Sequence, residues 1–314
     1  MRILFWGTPH FALPGIRAIL GEGHEVVGVV TQPDRPAGRG RALRVSPVKV
    51  FALEEHIPVL QPERARGAEF MVDLRKLEPE LSVVIAYGQI LKREVLELPA
   101  RGSINVHASL LPELRGAAPI NWAIIRGYTE TGVTVMRMVE QMDAGPILFQ
   151  VEEPILPDER ASDLWVRLSE LGAAALVEAL ALMEADALEE RPQDEARATY
   201  APRIERADAH IDWNQDAVTI GRLIRGMDEQ PGAWTHVGDS EVKLFRPRAD
   251  PDHRSDAAPG TVIDVHVQDA ADGIQVACGS GSLWVREVQP PGKRRMTAAA
   301  WARGRGVEVG DRFA

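Results

Sequence analysis

The opening stretch Met1–Val30, MRILFWGTPHFALPGIRAILGEGHEVVGVV, places a short apolar run at Ile3–Trp6 and a turn at Gly7-Thr8-Pro9. A helix-like segment from Phe11 to Leu20 and a second apolar run at Val26–Val30 follow. Neither run alternates apolar with polar residues. Continuous apolar runs of this length, separated by a helical segment, are the pattern of strands buried on both faces of a parallel sheet. The motif repeats downstream, with strand-like runs at Val83–Ala86, Ile104–His107 and Val133–Met138 and helix-like segments at Val48–His56 and Glu69–Leu77. Strand, helix, strand in succession predicts an α/β domain built on a doubly wound, mostly parallel sheet, Rossmann-like in layout. In such sheets ligands bind beyond the carboxyl ends of the strands, so motifs that follow strands directly become the candidates for function.

Beyond this region the pattern changes. Glu189–Asp208 is rich in charge, contains Pro192 and Pro202 and has neither the helical nor the strand period, which reads as a linker. A helical stretch, Ala217–Met227, then precedes short strand-like runs at Ala233–Val237, Val242–Phe245, Thr261–Val267, Ile274–Ala277 and Ser282–Val288. Five short strands after a helix predict a smaller OB-like β-barrel. The expected organisation is a catalytic domain over 1–188, a linker over 189–208 and a C-terminal barrel over 209–314, within the size that 314 residues allow.

Composition narrows the chemistry. With 45% hydrophobic and 26% charged residues the chain has a globular composition. The N-terminal apolar run is broken after four residues, too short for a signal peptide, and no run reaches the roughly 18 apolar residues of a membrane span, so a cytoplasmic enzyme, acting as a monomer, is expected. Cys278 is the only cysteine and the eight histidines form no HxxxH pair, so metal-free chemistry is expected. The net charge of −10 argues against a polyanionic partner. Residues 33–49, however, carry Arg35, Arg39, Arg41, Arg44 and Lys49 against the single acid Asp34, a local basic footprint on an acidic body.

The segment Ser103–Pro119, SINVHASLLPELRGAAP, is the richest in chemistry. Asn105 and His107 stand two apart at the end of a strand, so both side chains leave the same face. An amide donor beside an imidazole suits a reaction passing through a tetrahedral oxyanion. The same pair would serve equally well to satisfy loop backbone groups. A second loop after a strand, Gln141-Met142-Asp143-Ala144-Gly145, supplies a carboxylate that either orients His107 or shapes its own turn. There is no G-x-G-x-x-G after the first strand, which disfavours a dinucleotide site.

The run His107-Ala108-Ser109-Leu110-Leu111-Pro112, followed by Arg115-Gly116, resembles the signature of the 10-formyltetrahydrofolate-dependent formyltransferases. The resemblance extends to members acting on methionyl-tRNA through Gly7-Thr8-Pro9, the stretch Thr31–Gly40, Val45–Lys49, Ala86-Tyr87-Gly88, Thr131–Thr134, Ile211-Asp212-Trp213, Pro259-Gly260-Thr261 and Gln289–Lys293. It implies that Asn105, His107 and Asp143 form the catalytic trio, and that Ser109, Leu110, Leu111 and Pro112 border the folate site. It further implies formyl-folate as co-substrate and initiator methionyl-tRNA as acceptor, with Arg39, Arg41 and Arg44 reaching the acceptor stem. Lys293, Arg294 and Arg295 are expected to add tRNA contacts from the second domain. The sequence departs from the family at Met227–Gly232, where Asp228 and Glu229 put carboxylates in a less acidic stretch. The rivals are formyl transfer to an amino sugar or to glycinamide ribonucleotide, a catalytically silent tRNA-binding module, and a Rossmann-fold oxidoreductase.

Overall fold

A computed structural model describes residues 1–37, 42–266 and 273–314, and these divide into two compact units. Arg39, Arg41 and Val267 lie outside the described residues.

The first unit holds residues 1–119, 130–154 and 165–202. Its chain runs through β1 (Arg2–Gly7), α1 (Leu13–Gly21), β2 (Glu25–Val30), β3 (Arg35–Ala37), β4 (Ala42–Arg44), α2 (Pro47–Glu54), β5 (Val59–Leu60), α3 (Ala68–Lys76), β6 (Leu81–Ile85), α4 (Arg93–Leu96) and β7 (Ser103–His107). After α5 (Pro119–Ile125) come β8 (Glu130–Arg137), β9 (Ile147–Pro154) and the 24-residue α6 (Ala161–Glu184). The seven-stranded sheet has the order β5-β2-β1-β6-β7-β8-β9. β1, β2, β5, β6 and β7 are parallel, while β8 and β9 add an antiparallel edge.

The first strand reads as predicted because it is central: Ile3, Leu4, Phe5 and Trp6 are all buried, with helices needed on both faces. Leu4, Trp6 and Val84 pack on one side with Met71 and Leu74 of α3, Tyr87 and Leu91. Local capping fixes the helix starts. Ser46 accepts a hydrogen bond from the Lys49 amide at 3.1 Å and Pro47 occupies the first turn of α2. Successive strands are laid to either side of β1, so the chain reverses direction across the sheet between β1 and β6, the switch point at which such sheets form a crevice.

The second unit comprises residues 120–129, 155–164 and 203–314. It contains α7 (Ala217–Gly226), β10 (Trp234–Val237), β11 (Ser240–Asp250), β12 (Val262–His266), β13 (Gly273–Ala277), β14 (Ser282–Gln289), β15 (Met296–Thr297) and α8 (Ala298–Arg303). The antiparallel path is β10-β11-β14-β13-β12, with β15 beside β14. This is the expected antiparallel sheet, but its named strands do not close into a barrel: among the described residues β10 and β12 do not pair. The C-terminal residues touch both edges instead. Asp311 O accepts from Val262 N at 2.8 Å, Phe313 N donates to Gly260 O at 2.9 Å, and Ala314 exchanges two 2.9 Å hydrogen bonds with His236. The core gathers Trp213, Ile220, Ile224, Leu244, Val276 and Phe313.

Residues 189–202 fall within the segment read as the linker. They belong to the first unit, where Arg191 bridges Ile147 and Tyr200 bridges Arg115. Their lack of periodicity reflects an extended segment held by side-chain and single-bridge contacts, which leaves no repeating pattern in the sequence. Among the described residues no helix is long and apolar enough to cross a membrane.

Candidate active site

β7 carries the centre of the site, between the parallel β6 and the antiparallel β8, with Asn105 opposite Met136 and His107 opposite Thr134. Asn105 is half-buried and its side chain has no hydrogen-bond partner among the described residues. The His107 ring is 6% exposed. Its Nε2 lies 3.0 Å from Leu114 O, and because a carbonyl only accepts, Nε2 carries the proton. That leaves Nδ1 facing Asp143 Oδ2 at 3.8 Å. The separation is too long for a direct hydrogen bond, yet one polar atom fits at ordinary hydrogen-bonding distance from both.

Asp143 lies in the loop after β8 in the left-handed region, φ +52°, a conformation that Asp adopts more readily than most residues. Its Oδ2 accepts from Gly116 N at 2.8 Å. Gly116 has φ +122°, and a Cβ there would stand 2.6 Å from Ala201 O, so only glycine brings its amide to the carboxylate.

The strand-following segment 108–116 is held from beneath by β8 and β9. The Thr134 hydroxyl donates to Ser109 O at 2.7 Å and accepts from Leu111 N at 3.0 Å, while the Gln150 amide donates to Leu111 O at 2.9 Å. Ser109, Leu111 and Pro112 are buried, and the Ser109 hydroxyl donates to Glu113 O at 2.6 Å. Leu110 alone of these four remains half-exposed. At the neighbouring carboxyl ends of β1, β2 and β6, Thr8 and Gln32 both donate to Tyr87 O at 3.1 Å. The Tyr87 hydroxyl is buried without a hydrogen-bond partner among the described residues, and burial pushes its pKa up to about 12.

The basic residues separate into two groups. Arg44 is exposed on the β3–β4 ribbon, and Lys293 and Arg294 are exposed. Lys49 is engaged internally at 2.6 Å from both Asp34 and Gln61, and the hydrogen bonds that Asp34 accepts, from Lys49 first and then from the Gln61 amide at 2.9 Å, hold its carboxyl below the usual range. Arg295 likewise pairs with Asp228 at 3.1 Å and Glu287 at 2.5 Å and stacks 4.0 Å over the Phe245 ring. The Asp228 that departs from the family pattern is thus a buried internal counter-ion, also 3.6 Å from Arg160.

Sequence reasoning missed Thr134, Gln150, Gln193 and Thr199. The Thr199 Oγ1 accepts a hydrogen bond from Leu114 N at 2.9 Å. Gln193 and Thr199 fall in the segment without periodicity, Gln150 points from a strand as an ordinary polar residue, and Thr134 stands in the resemblance stretch Thr131–Thr134 with nothing in its spacing to give it a role.

Comparison with known proteins bears on this arrangement. Residues 1–180 match the formyl transferase family and residues 203–306 the formyl transferase C-terminal domain. The chain is 46% identical to the methionyl-tRNA formyltransferase of Moorella thermoacetica over 304 residues, covering 97% of this chain and 96% of that one. It is 47% identical to the methionyl-tRNA formyltransferase of Symbiobacterium thermophilum over 313 residues, covering 100% and 95%. Among solved structures, WlaRD, a sugar 3N-formyl transferase, superposes with a TM-score of 0.65 at 19% identity over 94% of this chain and 99% of that one. HypX from Aquifex aeolicus in complex with tetrahydrofolic acid gives 0.64 at 23% over 96% of this chain, which spans 46% of HypX. At these identities the two structures speak for the fold.

Proposed function

Because this chain belongs to the formyl transferase family, we propose that it transfers the formyl group of 10-formyltetrahydrofolate to the α-amino group of methionyl initiator tRNA, giving N-formylmethionyl-tRNA for translation initiation. The observation that carries the reading is the constellation at the end of β7. A buried imidazole presents Nδ1 3.8 Å from a carboxylate that a backbone amide orients, beside an unpaired amide on the same strand face.

The attack of the amine on the formyl carbon builds negative charge on the formyl oxygen. Asn105 offers N–H donors to that oxygen, and His107, once its Nδ1 has taken the proton of the attacking amine, stabilises it from the same face before returning that proton to the departing folate nitrogen. With Nε2 tied to Leu114 O, Nδ1 is the atom that gains and returns the proton, and the gap to Asp143 admits the bridging amine or water. Formyl-folate is the donor, and tetrahydrofolate leaves as an amine. The half-exposed Leu110 after β7 suits a co-substrate with a ring surface at this strand end.

In this reading residues 1–188 are catalytic, with 189–208 leading to 209–314, an OB-like barrel whose sheet edges are joined through residues 310–314 and which binds tRNA. Arg44, Lys293 and Arg294 are the exposed cations that support tRNA contact; Arg39 and Arg41 belong to the same basic segment. The protein works as a monomer in the cytoplasm, where aminoacylated tRNA is available. The test is to incubate it with formyl-folate and, separately, methionyl initiator tRNA, an amino-sugar nucleotide and glycinamide ribonucleotide. Formylmethionyl-tRNA is the expected product, and formylation of either small acceptor in preference to the tRNA refutes the reading.

A further inference from the structure

Gln193 occupies an unusual position for a residue in a segment without regular structure. Its Oε1 accepts from Arg115 Nε at 3.0 Å and Nη2 at 2.7 Å, while its Nε2 donates to Asp143 O at 2.8 Å and Gly145 O at 2.7 Å. The partners fix the orientation of the amide. A guanidinium only donates and a carbonyl only accepts, so the oxygen must face Arg115 and the nitrogen must face the loop. All four hydrogen bonds available to the amide are made.

The two things Gln193 joins are the two halves of the His107–Asp143 geometry. On one side is the backbone of the loop carrying the Asp143 carboxylate. On the other is Arg115, 1% exposed, whose neighbour Gly116 donates to that same carboxylate. Arg115 is secured further by Glu195, which accepts from Nη1 at 2.9 Å and from Nη2 at 2.7 Å, and its backbone pairs with Thr199 and Ala201. A carboxylate 3.8 Å from Nδ1 has no direct bond to hold it at that distance, so its place depends on the loops that carry it.

We infer that Gln193 is a positioning residue for the reaction, setting the separation between Asp143 and His107 by clamping the 141–145 loop to the 115–116 backbone. The inference rests on the reading of Asp143 given above. No other side chain of this length serves. Glutamate would set an acceptor against two carbonyls, and methionine would leave them and the Arg115 Nε proton unpaired.

The experiment measures initiator methionyl-tRNA formylation by Gln193→Met, Gln193→Glu, Asp143→Asn and the Asp143→Asn/Gln193→Met double variant. Displacement of a catalytic group by about 1 Å can lower turnover by up to roughly a hundredfold, so kcat in both Gln193 variants should fall on the order of tenfold to a hundredfold, with both KM values nearly unchanged. The double variant should be no slower than Asp143→Asn alone, because residues acting through one another are not additive. Multiplying of the two losses in the double variant, or a kcat in Gln193→Glu equal to the parent's, overturns the inference while leaving Asp143 in place. Full activity of Asp143→Asn removes Asp143 from the mechanism and the inference with it. If Gln193→Met does not fold, Gln193→Asn, which keeps both polar ends and shortens the reach, carries the same expectation.

Discussion

Gly145 is two residues beyond Asp143 and lies against the backbone of β8, so adding one methyl group there perturbs the site without touching any polar side chain. A Cβ built on Gly145 stands 1.8 Å from Arg137 O, whereas real Cβ atoms stay beyond 3.0 Å, so Gly145→Ala must open this approach by about 1.2 Å. The obstacle is strand backbone, held in the sheet by the pairing of Arg137 with Ile104 of β7, so the loop has to move. A shift of that size is enough to break the 2.8 Å bond from Gly116 N to Asp143 Oδ2 and the 2.7 Å bond from Gln193 Nε2 to Gly145 O. Overpacking of this kind costs about 1–3 kcal/mol. The kinetic consequence is larger, since misplacement by about 1 Å can lower turnover on the order of a hundredfold. The assay is steady-state formylation of methionyl initiator tRNA beside a thermal unfolding curve. We expect kcat to fall by roughly 30- to 100-fold and KM for tRNA to change by less than about threefold. Gly21→Ala is the control: nothing lies within 4 Å of its Cβ and its φ is not positive, so it should leave kcat alone. A folded Gly145→Ala enzyme with the parent's kcat would refute the claim that the loop backbone sets the Asp143 position.

Asn105→Ala and His107→Ala should each lower single-turnover formylation by about 10²–10³, the loss typical of an oxyanion donor, while formyl-folate affinity measured by fluorescence quenching stays near that of the parent; near-parental turnover in both removes the pair from the mechanism. Lys293→Ala, Arg294→Ala and Arg44→Ala should each reduce the salt slope of tRNA binding by up to about one unit, whereas Arg295→Ala should instead lower the urea midpoint, because it leaves the buried Asp228 carboxylate to the more distant Arg160 at 3.6 Å. Equal salt slopes in all four variants would count against this division. Cys278 is buried, and that burial, followed by the nearby Asp216 charge, pushes its thiol up to about 12 from 9.0. The folded state therefore favours the neutral thiol. A thiol reagent at pH 8 should label it only on unfolding, and the contribution of this group to stability should decline as pH rises from 9.0 toward 12. Rapid labelling of the native protein at pH 8 would contradict its burial.

Much of this was legible in the sequence. The unalternating runs at Ile3–Trp6 and Val26–Val30 are strands because a strand covered on both faces tolerates no polar side, and both proved central in the sheet. Asn105 and His107 were readable as one face of one strand end, since the two-residue period is a property of the local backbone. The antiparallel edge formed by β8 and β9 was not readable, because strand direction depends on how the intervening chain returns.

The sequence by itself therefore determined the parallel half of the sheet, the identity of the catalytic candidates and the family. Each of these is encoded in short-range periodicity or in a contiguous motif. Only the tertiary structure decided which polar atoms act together. It brought Asp143 to His107 through Gly116, drew residues 189–202 into the first unit to place Gln193 and Thr199 against the site, and turned Lys49 and Arg295 inward onto Asp34 and Asp228. These pairings join residues 15 or more positions apart through one or two hydrogen bonds, whose geometry depends on ångström-scale approach that residue spacing along the chain does not encode.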